Sequence, residues 1–134
     1  LPVDVAIFSA AVADFKVDEK HDVKIKKKDE LNIKLEKNVD ILSYISNHNS
    51  MRPKLVIGFA AETNDLEDNA IEKLKNKNCD MIIANDVSNK SIGFDSDLNE
   101  VTIFYKNNKK EKLFAKNKSL ISDEIVERVN NQLN

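Results

Sequence analysis

Residues 3–28 read VDVAIFSAAVADFKVDEKHDVKIKKK. The apolar run from Val3 to Phe8 has the length and composition of a buried strand. It gives way to the small residues Ser9, Ala10, Ala11 and Ala13 and then to one carboxylate, Asp14. Further on comes a basic run of Lys24, Lys26, Lys27 and Lys28. A strand end built from small residues lets a ligand approach the backbone closely. A carboxylate beside it can take a hydroxyl or a metal, and a lysine cluster folding back over it suits a polyphosphate.

Two further apolar runs end in the same manner. LVIGFAA, residues 55–61, carries Phe59 and leads to Glu62; MIIA, residues 81–84, leads to Asn85 and Asp86. Gly58 within the second run either weakens the strand or marks a close approach to its backbone. Amphipathic helices separate the runs. One is expected from Val39 to about Asn49, with Asn38 as N-cap, Asp40 in its first turn and Ile41, Leu42 and Ile45 as its apolar stripe. A second is expected from about Asp65 to Lys77, acidic early and basic late, burying Leu66, Ala70, Ile71 and Leu74. Apolar strands alternating with helices predict an α/β fold: a three-layer, Rossmann-like parallel sheet. In such a sheet the strand ends share one side, and ligands bind in the crevice outside them.

The remaining segments read as antiparallel additions. Val23 to Lys28 and Leu31 to Leu35 alternate and are expected to pair around Lys28-Asp29-Glu30, with Ala13 to His21 as loop. Lysines on one face of such a strand suit a ligand, and equally suit a solvated edge that resists aggregation. Val101 to Tyr105 and Glu111 to Ala115 form a second expected hairpin. A last helix is expected from about Ser119 to Leu133, with Ile121, Ile125, Val129 and Leu133 as its stripe and Ser119 or Ser122 as its cap.

Composition bounds the alternatives. The chain has 134 residues, 41% hydrophobic and 33% charged, which is the size of a single domain (1–134) with one core. A net charge of −2 gives no global pull toward nucleic acid or an anionic membrane. No apolar run approaches the ~18 residues of a membrane span. One cysteine, Cys79, fits a reducing, cytoplasmic setting and reads as a small buried hydrophobe. There is no P-loop, no GxGxxG and no zinc-spaced cluster.

Seen together, SAAVADF (9–15), KIKK (24–27), KNVDIL (37–42), GFAAET (58–63), ANDVS (84–88), GFDSDLNEV (93–101) and DEIV (123–126) resemble, in this order and across nearly the whole chain, the phosphopantothenate–cysteine ligases of coenzyme A biosynthesis. In bacteria this ligase is the C-terminal half of a bifunctional protein whose other half is a flavin-dependent decarboxylase. The resemblance implies a two-step reaction. The carboxylate of 4'-phosphopantothenate attacks the α-phosphate of CTP, with Mg²⁺, releasing pyrophosphate. The amine of L-cysteine then attacks the acyl-cytidylate, giving the amide and CMP.

The resemblance assigns Lys24 to acyl-cytidylate formation, where a fixed ammonium stabilises charge on the α-phosphate. It assigns nucleotide contact to Ala10, Ala11, Asp14, Val39, Asp40, Ile41, Leu42, Phe59, Lys73 and Lys77, and a substrate-side position to Asn85. The family often has Pro where this chain has Val39, at the expected first helical position. The hairpin from Lys26 to Leu35 resembles the family's dimerisation region, so a homodimer is expected. The chain opens on Leu1-Pro2-Val3 without a methionine. It is therefore expected to be an N-terminally truncated ligase domain, better able to bind nucleotide than to turn over, and with no flavin site. Two other readings stand beside this one. A non-catalytic dimerisation module would show no nucleotide effect on stability, and another nucleotide-dependent enzyme, such as a kinase, would prefer ATP.

Overall fold

The computed structural model describes residues 1–18, 23, 32–88 and 96–134. Three strands, β1 (Val5–Phe8), β4 (Leu55–Glu62) and β5 (Met81–Asp86), run parallel, while β2 (Phe15–Val17) and β3 (Leu35–Lys37) form a separate antiparallel ribbon. The helix α1 (Ile41–Ser46) connects β1 to β4, and α2 (Leu66–Asn76) connects β4 to β5. Successive right-handed crossovers in one direction put both helices on the same face of the sheet. The chain then turns back as an antiparallel pair, β6 (Leu98–Tyr105) and β7 (Lys110–Asn117), and ends in α3 (Lys118–Leu133). The sheet order is β1-β4-β5-β6-β7.

Alternation along the strands sorts the core into two layers. Leu55, Ile57, Met81, Ile83, Ile103 and Leu113 point to one face, where Ile121, Ile125 and Val129 of α3 cover them. Ala60, Ile82, Ala84 and Phe104 point to the other, against Ala70 and Leu74 of α2, with Leu42 of α1 packed alongside. The three-layer α/β architecture with a C-terminal hairpin and helix is the one expected from sequence.

Several elements differ in detail from those expected. α1 is shorter than expected and begins two residues later. Its N-cap is Asp40, whose Oδ1 accepts the Ser43 N–H at 2.9 Å. Asn38 serves a different purpose: its side-chain amide donates to the Ala13 carbonyl at 2.8 Å, and its backbone N–H donates to the Asp14 carbonyl at 2.8 Å. Val39 therefore precedes the cap and is not a first helical residue. The cap of α3 is Asn117, whose Oδ1 accepts the Ser119 N–H at 3.0 Å, so neither Ser119 nor Ser122 fills that role. Residues 15–17, expected in a loop, form a strand, β2 (Phe15–Val17), which pairs antiparallel with β3 (Leu35–Lys37). Most of the expected Val23–Leu35 hairpin, including Lys24, lies outside the described residues.

α2 closes in a hydrogen-bonded C-terminal motif. Asn78 takes a left-handed φ of 51°. Its N–H donates to the Lys75 carbonyl and the Cys79 N–H to the Leu74 carbonyl, each at 3.1 Å. This fixes Lys77 as the last residue of the helix end and buries Cys79 beside Leu74. Burial pushes the Cys79 thiol up to about 11, consistent with a structural residue rather than a nucleophile.

Candidate functional site

The carboxyl ends of β1 and β4 open onto a cleft of about 490 Å³. Its floor is the segment from Ile7 to Asp14, one wall is the segment from Asn38 to Leu42, and the other is α2 with Lys73 and Lys77, with Phe59 of β4 between them. Residues far apart in sequence meet here for a topological reason. Parallel strands joined by crossovers deliver their carboxyl ends, and the turns that follow, to one side of the sheet.

Ala10, Ala11, Asp14, Val39, Asp40, Ile41, Leu42, Phe59, Lys73 and Lys77, all singled out from the sequence, line this one cleft. Lys24 lies outside the described residues, and Asn85 does not line the cleft. Asn85 is the penultimate residue of β5, opposite Ala61. Strand alternation places it on the face of Ile83 and Met81, the face that α3 covers. Val39, 71% exposed, and Ile41, 47% exposed, offer apolar surface to the cleft.

Gly58 explains how α1 reaches the sheet. A Cβ built there would lie 2.8 Å from Leu42 Cδ2 and 2.9 Å from Ile82 Cδ1. The missing side chain is therefore the seat of Leu42, which touches the core on one side and the cleft on the other.

Among the described residues, the two lysines that line the cleft are both paired. Lys77 Nζ lies 2.5 Å from Asp40 Oδ2, and Lys73 Nζ lies 3.5 Å from Glu62 Oε1. Burial pushes the Asp40 carboxyl up. The Lys77 hydrogen bond, the Ser43 N–H and the charges of Lys77 and Lys73 outweigh that effect and hold it below the ordinary carboxylate value. Asp14 belongs to the loop that Asn38 pins from two directions.

Sequence reasoning missed the groups that set this geometry. Arg52 Nε donates to the Ser46 carbonyl at 2.7 Å, and its Nη2 donates to the Asn78 carbonyl and to Asp80 Oδ2, each at 2.9 Å. It thereby ties the carboxyl end of α1 to that of α2. The buried Ser46 hydroxyl donates to the Lys77 carbonyl. Arg52 beside Pro53 carries no local pattern that signals this, because the Asn78 carbonyl and the Asp80 carboxylate that it joins to α1 lie more than 25 residues away in sequence.

The described residues contain no group of three or more His, Cys, Asp or Glu that could hold a metal by themselves. No described helix is long and apolar enough to cross a membrane.

The fold and cleft define a three-layer α/β domain that presents small residues, an aromatic ring and two lysines at the carboxyl ends of parallel strands. The chain belongs to the family described as the DNA/pantothenate metabolism flavoprotein C-terminal domain, whose profile matches residues 1–133. It is 46% identical over 121 residues to the coenzyme A biosynthesis bifunctional protein CoaBC of Haemophilus influenzae, covering 90% of this chain and 30% of that protein. It is 41% identical over 127 residues to the CoaBC of Bacillus subtilis, covering 94% and 31%. The chain thus spans about three-tenths of the length of these curated relatives. A crystal structure of the C-terminal domain of CoaBC superposes with a TM-score of 0.74 at 34% identity, covering 98% of this chain and 55% of that one. The DNA/pantothenate metabolism flavoprotein of Streptococcus pneumoniae shares the fold, with a TM-score of 0.70 at 23% identity.

Proposed function

We propose that this chain is the nucleotide-binding part of a phosphopantothenate–cysteine ligase, which activates 4'-phosphopantothenate with CTP as an acyl-cytidylate and then joins it to L-cysteine. The observation that carries the reading is the meeting of the selected residues, from β1, the α1 entry, β4 and α2, in one cleft. The similarity to bifunctional coenzyme A biosynthesis proteins supports it.

The cleft suits the chemistry. A carboxylate is a poor acylating agent, and a nucleotide leaving group makes it a good one. The small Ala10 and Ala11 let the nucleotide approach the backbone, and the Phe59 ring packs on it. Lys73 and Lys77 supply positive charge for phosphate oxygens. Lys24 is the residue proposed to stabilise charge on the α-phosphate during transfer. Asn85, one strand further along the sheet edge, is proposed for the substrate side.

Magnesium fits as a companion of the triphosphate. Mg²⁺ commonly takes one or two carboxylates plus phosphates and water. Asp40 spends Oδ1 on the α1 cap through the Ser43 N–H, so among the described residues Asp14 is the lining carboxylate proposed for the ion. When bound it neutralises phosphate charge.

The β2–β3 ribbon is proposed as the dimer contact. Register puts Val17 opposite Leu35, with Phe15 on the same face. All three are exposed, at 44, 55 and 52%. Lys16 and Glu36 pair on the opposite face at 2.8 Å. In the parent protein the proposed partner domain is a flavin-dependent decarboxylase, and the setting is the cytoplasm.

Thermal unfolding of the chain with Mg²⁺ and each of CTP, ATP, GTP and UTP tests the proposal. A ligand at 100 times its Kd adds about 2.7 kcal/mol, a shift of several degrees. A shift with CTP alone supports the ligase reading; a shift with ATP alone favours another nucleotide-dependent enzyme. No shift with any nucleotide, in a chain shown to be folded, refutes a self-contained nucleotide cleft. Lys24→Gln in a full-length ligase is expected to abolish acyl-cytidylate formation, and normal formation removes Lys24 from the mechanism.

A further inference from the structure

Lys77 is held from both ends of α1. At the carboxyl end, the buried Ser46 hydroxyl donates to its carbonyl. At the amino end, Asp40 Oδ2 accepts from its ammonium at 2.5 Å. The two grips differ in kind. The first fixes backbone in a buried site. The second joins two side chains that are 30 and 43% exposed, and such pairs are weak. The ammonium can therefore be surrendered without disturbing the helix end.

Asp40 also divides its work between its oxygens. Oδ1 caps α1 through the Ser43 N–H, and Oδ2 alone takes Lys77. Losing Lys77 leaves the cap intact. Lys73 is situated differently. Its partner Glu62 also accepts from Asn69 Nδ2 at 3.1 Å, and its side chain is only 19% exposed.

We propose that Asp40 is a displaceable counterion for Lys77, holding its ammonium over the cleft and yielding it to a phosphate when the ligand enters. This rests on the nucleotide reading above and deepens it: Asp40 becomes a positioning residue that competes with phosphate. A polyphosphate brings more negative charge and more acceptor oxygens than a single carboxylate, so it wins the ammonium. The competition costs affinity, and by the same measure it eases release of a pyrophosphate product.

The test uses isothermal titration of the full chain with inorganic tripolyphosphate, without divalent metal, and with CTP in parallel. Asp40→Asn is the informative variant, because Asn caps a helix as well as Asp does and lacks the charge. It is expected to bind tripolyphosphate about two- to five-fold more tightly, the range of an exposed ion pair. Lys77→Gln is expected to bind less tightly. In the Lys77→Gln background, adding Asp40→Asn is expected to change nothing. An unchanged or weaker affinity of the single Asp40→Asn variant overturns the inference. So does an equal gain in the Lys77→Gln background, which would mean that Asp40 merely repels the ligand. If CTP still binds the wild type in those cases, the nucleotide reading survives. If neither ligand binds the folded wild type or Asp40→Asn, both fall together.

Discussion

Replacing Arg52 with Ala is expected to destabilise the domain by about 2–4 kcal/mol. The guanidinium is three-quarters buried, with its side chain 24% exposed. It donates to three carbonyls, of Ser46, Pro53 and Asn78, and to Asp80 Oδ2, all between 2.7 and 2.9 Å. Hydrogen bonds to a charged group contribute about 1.5–3 kcal/mol each when measured singly. They do not add within one network. Losing the guanidinium also strands Asp80, which is 19% exposed, with the Val56 N–H at 2.8 Å and Lys106 at 3.9 Å as its remaining partners. Breaking a partly buried pair from one side costs less than the 3–5 kcal/mol of a fully buried one. Together these give the stated range, equivalent to a fall of roughly 10 °C in Tm for a chain of this size. Arg52→Lys is expected to recover only part of it, because an ammonium cannot reproduce a planar fork. Urea unfolding of the three proteins, with m-values compared, is the assay. A loss below about 1 kcal/mol for Arg52→Ala, or full rescue by Lys, would refute the view that Arg52 clamps the ends of α1 and α2.

Three further outcomes are expected. Gly58→Ala gains about 0.5–1 kcal/mol from the backbone but pushes on Leu42 and Ile82, at about 1–3 kcal/mol; urea unfolding should show a net loss, and CTP affinity should fall because Leu42 lines the cleft. The Arg128 hydrogen bond holds the Glu111 carboxyl below its ordinary value of 4.5, against the pull of burial. Its contribution is therefore complete above that value and lost as pH falls through the depressed one; the stability gap between wild type and Glu111→Gln, followed by urea unfolding from pH 7 to 3, should close only at the acid end. Cys79, fully buried with its thiol pushed up to about 11, should stay unreactive to a disulfide reagent at pH 8 until denaturant is added, and prompt labelling of the native chain would contradict its burial.

Much of the framework was legible because its signals are local. Runs such as LVIGFAA and MIIA are too apolar to be anything but buried, and the charge order of α2 matches its dipole. The cleft followed from topology, since parallel strands deliver Ala10, Phe59 and the Asp40 segment to one side. What escaped notice is non-local. Phe15–Val17 is a strand only because Leu35–Lys37 lies beside it, across many residues of chain. Asn38 and Asp40 are equally good caps by type, and the choice fell to Asp40 because Asn38 is spent on the Ala13 carbonyl.

By itself, then, the amino-acid sequence determined the strands of the main sheet and the three helices, which faces they bury, and most of the residues that line the cleft at the strand ends. Those depend on periodicity, chain connectivity and handedness, all written along the chain. Only the tertiary structure decided that Lys77 rests on Asp40, that Leu42 sits in the space Gly58 leaves, and that Arg52 binds two helix ends together. These are pairings of side chains with partners distant in sequence, and the partner becomes known only when the layers are packed.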